Sequence, residues 1–268
     1  GNMYLGPLYY YMMAPALFLS GLNPVGPAIM VALISVITVF FTWYVTREWF
    51  GKVAAAVAAL LYAVSPIAII YGRTSWNPNP MPIFALLAIY GIYQVWQKKK
   101  YFWLPIIGIG AAFALQMHYL GLLLLPTLGL FWLFTLRKLR REKQSTKIFS
   151  KNTLLAVGLF LLLMSPLLLF DIKHQWMNTH AFLSMISAKS GVFDLAHFLS
   201  KPFSLTSFVF TALFSGIQNP SVIATIVITA LVIISLFKKY FETPVRLLIA
   251  WLVFPILGLS LYNQPVYI

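Results

Sequence analysis

Apolar runs close to the length of a membrane crossing follow one another along this chain, separated by short basic or polar punctuation. A hydrocarbon layer about 30 Å thick needs roughly 20 helical residues. The runs at 24–46, 53–71, 82–97, 101–117, 119–137, 152–170, 221–237 and 244–262 are read as eight crossings, with Tyr93, Trp96 and Gln97 extending the short third one into the interface. Composition agrees: 61% of residues are hydrophobic and only 9% are charged, more apolar surface than a soluble domain could hide. The expected fold is all-α, a polytopic transmembrane helix bundle with external juxtamembrane helices. No cysteine is present, which excludes disulfides and thiolate metal sites.

Charge orients the bundle. Arg137, Lys138, Arg140, Arg141, Lys143, Lys147 and Lys151 crowd one inter-span loop and mark it as cytoplasmic. Alternating outward from it, Arg47, Lys52, Lys98–Lys100, Lys238, Lys239 and Arg246 join the same face, while Arg73, Lys173, Lys189 and Lys201 fall outside. The +14 net charge is therefore topology and attraction to anionic lipid, with nothing left over for nucleic acid.

Two apolar runs are too short to cross: Pro7–Gly21, with Pro15 inside it, and Phe203–Ile217, whose crossing would move Lys238, Lys239 and Arg246 outside. Four parts result. Residues 1–22 end an external loop with a juxtamembrane helix, and 23–170 form a six-span core. Residues 171–220 are an external loop with amphipathic helices, and 221–268 hold two further spans. The chain opens on Gly1-Asn2 and closes on Pro265-Val-Tyr-Ile268, which reads as the middle of a longer protein.

The segment Tyr71–Pro82 (Y-G-R-T-S-W-N-P-N-P-M-P) is the most polar and proline-dense stretch between two long apolar runs. Pro78, Pro80 and Pro82 each bias the preceding residue away from the helix, so the backbone extends or turns here. Arg73 is the only charge between Lys52 and Lys98. The stretch reads either as a connecting loop with an interfacial Trp and Arg or as a site.

Chemistry-capable side chains collect on the outer face. His118, His174, His180, His197, Asp171 and Asp194 lie there, whereas Glu48, Glu142 and Glu242 lie inside. Three outer turns carry Arg73, Trp76 and Asn77, then Gln116, His118 and Tyr119, then Asp171, Lys173 and His174. A basic, aromatic crown of this kind suits an anionic headgroup, and a lipid-linked phosphate is the natural candidate. Each group also has a plainer role. His118 can pack between helices, Asp171, Lys173 and His174 can cap a helix end, and Tyr9-Tyr10-Tyr11 can be an aromatic belt as well as a sugar platform. His180 and His197 read as loop residues. No histidine–carboxylate spacing reads as a specific metal site, and no Ser-His-Asp set is apparent.

The order Gly6-Pro7-Leu8-Tyr9-Tyr10-Tyr11, Asn23-Pro24-Val25-Gly26, Arg73–Pro82, Met117-His118-Tyr119-Leu120-Gly121 and Phe170-Asp171-Ile172-Lys173-His174 resembles the GT-C membrane glycosyltransferases. Within them it is most similar to the protein-mannosyltransferase-like branch (glycosyltransferase family 39 type) that includes the lipid A aminoarabinose transferases. The resemblance covers nearly the whole chain through topology and short turns. In that family a first external loop supplies a catalytic aspartate, and its closing helix carries a Lys-Pro-Pro-like motif; Leu5-Gly6-Pro7 stands there without the lysine. A second loop carries an acidic residue before a proline, where Asn77-Pro78 offers an amide. A third turn carries a phosphate-contacting lysine, and His118 takes that place.

The resemblance implies an enzyme, an inverting glycosyltransferase in the plasma membrane with its active site on the extracytoplasmic face. It moves a hexosyl or pentosyl group from a polyprenyl-phosphate donor to a lipid or protein acceptor. The implied substrate-binding residues are Tyr9, Arg73, Trp76, Asn77, His118, Tyr119, Asp171 and His174, with the catalytic aspartate expected before Gly1. A divalent metal cofactor is left open, although the amide at Asn77 removes one carboxylate it would use. Two other classes compete: a transporter or flippase of an anionic amphiphile, and a non-catalytic membrane subunit. A transporter favours paired repeats and polar residues at mid-membrane; here no internal repeat is evident and the ionisable residues sit at span ends.

Overall fold

The computed structural model describes residues 4–187, 195–215 and 243–260, with scattered helical positions between 223 and 234. Among the described residues every regular element is helical. In order they are α1 (Leu8–Leu19), α2 (Val25–Val64), α3 (Pro66–Tyr71), α4 (Met81–Lys98), α5 (Trp103–Met117), a 3₁₀ segment (Tyr119–Leu124), α6 (Leu125–Arg141), α7 (Lys147–Lys173), α8 (Met177–Ser187), α9 (Leu195–Ser215) and α10 (Thr243–Ser260). Val25–Val64, Tyr119–Arg141 and Lys147–Lys173 are long and apolar enough to cross a membrane. The fold is an all-α membrane bundle. The span expected at 221–237, the Gln218-Asn219-Pro220 turn, and Lys189, Asp194, Lys238, Lys239 and Glu242 lie outside the described residues.

Prolines and one glycine set the boundaries. Pro66, Pro82 and Pro126 occupy first-turn positions of α3, α4 and α6, where a missing N–H costs nothing. Pro66 also holds Ser65 extended (φ −62°, ψ 122°), so the apolar run 53–71 breaks there rather than forming one helix. As one straight rod, the 40 residues of α2 would reach about 60 Å, twice the hydrocarbon thickness. Its path breaks at Gly51 (φ 86°, ψ −179°), a conformation open essentially to glycine alone. The run at 119–137 starts as a 3₁₀ segment, and α7 begins at Lys147, earlier than the apolar run that forms its centre.

The chain divides into two compact units. In the unit of residues 5–168, α4 and α5 are the most enclosed helices and run antiparallel. Phe84 stacks on Phe113 at 4.6 Å, and Gly91 lies against Ile107 and Trp103. A Cβ on Gly110 would sit 3.1 Å from the Phe84 carbonyl, and one on Gly108 would strike the backbone of Ala156 in α7. Small residues at these positions let backbones approach closely, the usual basis of helix association in lipid. The outward faces of α2 and α7 carry Leu33, Val36, Phe40, Leu154 and Leu161, all exposed as lipid-facing side chains would be. Pro166 interrupts α7. It leaves the Leu162 carbonyl without its helical N–H, and the Ser165 hydroxyl donates to that oxygen instead (2.7 Å).

The other unit holds Tyr4 and the residues from 169 onward. There α9 packs along α10, with Leu205, Ala212 and Leu247 buried. Residues 203–215 of the short run expected at Phe203–Ile217 belong to a longer helix, α9, which starts at Leu195 and carries Pro202 inside it, and the last two residues of the run lie outside the described ones.

Candidate functional site

The first turn of α1 is the meeting point of the larger unit. Tyr9, 2% exposed, has its hydroxyl 2.6 Å from the Ser75 hydroxyl, and so pins the 72–80 loop to α1. One residue earlier, the Leu8 N–H donates to Gln116 Oε1 at 3.4 Å. Gln116, with no exposed surface, also donates through Nε2 to the Leu163 carbonyl (2.6 Å), in the weakened stretch of α7 before Pro166. Gly6 lies so close to this amide that a Cβ there would overlap it. α1 thereby fixes the Arg73 loop and the corner that ends in His118 relative to each other.

The loop itself is built from turns. Asn79 Nδ2 donates to the Thr74 carbonyl (2.7 Å) and hydroxyl (2.9 Å), and the Asn79 and Met81 N–H groups close on Trp76 and Pro78. Gly72 abuts Ser35 of α2 with no room for a side chain. Arg73 is exposed, with no carboxylate partner among the described residues. Trp76 is exposed beside Tyr71 at 6.0 Å, whereas Asn77 is buried. A loop tied at Ser75, Thr74 and Gly72 thus presents a cation and an indole at its rim.

At the α5 corner, His118 adopts an extended conformation (φ −157°, ψ 137°) and caps the 3₁₀ segment. Its Nδ1 accepts from the Leu120 N–H at 3.2 Å. That bond leaves the proton of the neutral ring on Nε2. Burial lowers the pKa of His118 below the usual histidine value, because desolvation disfavours the charged form. The ring lies 4.4 Å from that of Tyr119, which is exposed. The reversal is tight: a Cβ on Gly121 would press on the backbone of Ala114.

Asp171 and His174 belong to the other unit, and there they build a corner. Asp171 is 5% exposed. Its Oδ1 accepts from the Asn178 N–H (2.6 Å), and its Oδ2 from the Thr179 N–H (3.2 Å) and hydroxyl (2.6 Å). The carboxylate therefore caps the first turn of α8. His174 Nδ1 lies 2.7 Å from the Phe170 carbonyl, and its ring stacks on Phe170 at 4.0 Å. Phe170 in turn meets Tyr4. Gln175 and Trp176 complete the turn in the left-handed region (φ 57° and 60°).

Sequence reading missed three partners that organise the site: Ser75, Gly6 and the clamping role of Gln116. Gln116 was visible only as a polar residue at a span end; its partners lie 47 and 108 positions away. Among the described residues no three His, Cys, Asp or Glu converge as metal ligands.

The sequence is similar to those of known proteins. Residues 5–170 match the model of the dolichyl-phosphate-mannose-protein mannosyltransferase family. The chain is 26% identical over 157 residues to "Putative mannosyltransferase YkcB" of Bacillus subtilis (strain 168), covering 57% of this chain and 22% of that protein. It is 31% identical over 131 residues to "Putative mannosyltransferase YycA" of the same organism, covering 48% and 19%. The chain spans about a fifth of the length of these curated relatives. No solved structure matches it. The matched region takes in α1, the Arg73 loop, the His118 corner and most of α7, more than half of the chain, and the chain belongs to the dolichyl-phosphate-mannose-protein mannosyltransferase family.

Proposed function

We propose that the chain forms the donor-phosphate side of an integral-membrane glycosyltransferase acting on a polyprenyl-phosphate sugar at the extracytoplasmic face. The observation that carries this reading is Arg73: a cation without a carboxylate partner among the described residues, on a loop pinned to α1 through Tyr9 and Ser75. In the reaction an acceptor oxygen or nitrogen attacks the anomeric carbon as the bond from that carbon to the phosphate oxygen breaks. The bonding pair leaves on the phosphate, and a carboxylate base takes the acceptor's proton. Charge grows on the leaving phosphate, where Arg73 and the Nε2–H of His118 can donate. Trp76 and Tyr119 supply aromatic surface for the sugar or the prenyl chain, whereas Tyr9 and Asn77 are buried and serve from within, Tyr9 by holding the loop to α1 through Ser75. Asp171 and His174 serve this reading by holding the α7–α8 corner.

The test is transfer by the whole protein with a labelled polyprenyl-phosphate sugar. Loss of a charge-assisted bond in the transition state is worth about 1.5–3 kcal/mol, so Arg73→Ala should slow transfer roughly ten- to hundredfold at undiminished folded yield. Arg73→Lys should recover part of that loss. Transfer at the unaltered rate in Arg73→Ala would remove the donor-phosphate assignment.

A further inference from the structure

A second polar constellation lies among aromatic rings where α2 meets α4, apart from the candidate site. Tyr90, Gln94 and Lys98 recur every four residues and so share one face of α4. All three meet Glu48, the residue before Trp49 near the end of the first arm of α2. The Tyr90 hydroxyl donates to Glu48 Oε2 at 2.6 Å, and Gln94 Nε2 reaches both carboxylate oxygens at 3.1 and 3.2 Å. Lys98 Nζ is 3.9 Å from Oε1, beyond hydrogen-bond reach, which leaves that oxygen room for another donor. Rings enclose the group: Tyr44 lies 5.9 Å from Tyr90, Trp103 lies 5.2 Å from Tyr90, and Trp49 lies 5.0 Å from Tyr93.

Two buried polar atoms here have no partner: Oε1 of Gln94, which is 1% exposed, and Nε1 of Trp49, which is 9% exposed. A clamp serving only to join two helices would not need to leave a buried acceptor and a buried donor unmet. The Glu48 side chain is 27% exposed, so the niche opens outward. Its rim is basic. Arg47 stacks over Trp43 at 5.0 Å, and neither Arg47 nor Lys52 has a carboxylate partner among the described residues.

We propose that this niche binds the primary ammonium of a zwitterionic lipid headgroup, a phosphatidylethanolamine. A primary ammonium has three N–H donors. Glu48 Oε1 and Gln94 Oε1 would accept two of them, with aromatic faces adding attraction for the cation. The adjoining phosphate meets Arg47, Lys52 and the Trp49 N–H. Placement near a helix end among basic and aromatic residues puts the niche at headgroup depth. A quaternary headgroup lacks the N–H donors and should bind less well.

The inference does not depend on the proposed reaction and is tested without it. The detergent-solubilised protein is titrated with short-chain phosphatidylethanolamine, phosphatidylcholine and phosphatidylglycerol, and binding is read by native mass spectrometry and thermal shift. Phosphatidylethanolamine should bind about tenfold or more tightly than phosphatidylcholine. Glu48→Gln should bring the two to the same affinity. Should Glu48→Gln fail to fold, Lys98→Met, which removes the competing cation, should tighten phosphatidylethanolamine binding. Equal affinities in the unaltered protein, a preference that survives Glu48→Gln, no tightening in Lys98→Met, or phosphatidylglycerol binding most tightly would each overturn the proposal.

Discussion

Gln116 and Gly6 make a paired perturbation with a calculable sign. Gln116→Ala removes the donor to the Leu163 carbonyl and the acceptor of the Leu8 N–H, both at a residue with no exposed surface. Leaving a buried group unpaired costs about 1–3 kcal/mol, although side-chain bonds inside membrane proteins average nearer 0.6 kcal/mol. Together with the small void, about 2–4 kcal/mol is expected. Gly6→Ala acts from the other side. Gly6 is not in the left-handed region, so its penalty is the overlap of the new methyl with the Gln116 amide, about 1–3 kcal/mol for overpacking. In the double variant the methyl enters space the amide has vacated. Its cost should fall below the sum of the two singles by about 1 kcal/mol or more. Unfolding of all four proteins by SDS titration in mixed micelles gives the cycle. Additivity within about 0.5 kcal/mol would refute the contact on which the α1–α5–α7 clamp rests.

Gly51→Ala should destabilise by about 1–3 kcal/mol through backbone conformation alone, since no neighbouring atom would meet the new Cβ; the same SDS titration checks it, and an unchanged midpoint would contradict the break in α2. The pKa of His118 is lowered by burial, so its contribution to stability is fully present above the ordinary value of about 6.5 and declines as pH falls through the folded value. His118→Asn, which can still cap the 3₁₀ segment, should flatten that acid limb in a stability–pH profile, whereas His118→Leu should lower stability at every pH. For topology, single cysteines at Thr74 and Ser145 should be labelled by an impermeant maleimide from opposite faces of the membrane; labelling from one face would sink the charge-based orientation.

The helices were legible wherever one local rule governed them. Apolar length located α4, α5 and the centre of α7, and the alternating prolines after Asn77 marked the loop before α4. The local rule at Pro66 was also on view, but apolar continuity hid the break between α2 and α3. The 3₁₀ start at Tyr119 was not readable, because it depends on Gly121 lying against Ala114 and on a His118 ring nitrogen meeting a backbone N–H. Residue type singled out the Arg73 loop and the His118 corner as candidates; what joins them is a tyrosine–serine contact and one buried amide, long-range facts that no spacing encodes. Glu48 was read only as an inner-face carboxylate for the same reason, since its hydrogen-bond partners lie 42 and 46 positions away.

The break at Gly51 also bears on how the protein meets bilayers of different thickness. Apolar helices answer a thicker or thinner hydrocarbon layer by tilting, at a cost that grows with each ångström of mismatch. A rigid 40-residue rod would pass such a tilt along its whole length. With a glycine hinge in a position where even a Cβ would touch nothing, the two arms of α2 can settle at separate angles. Adjustment to the host lipid can then be taken up at Gly51, between the two arms of α2, while the loop that carries Arg73 keeps its hold on α1.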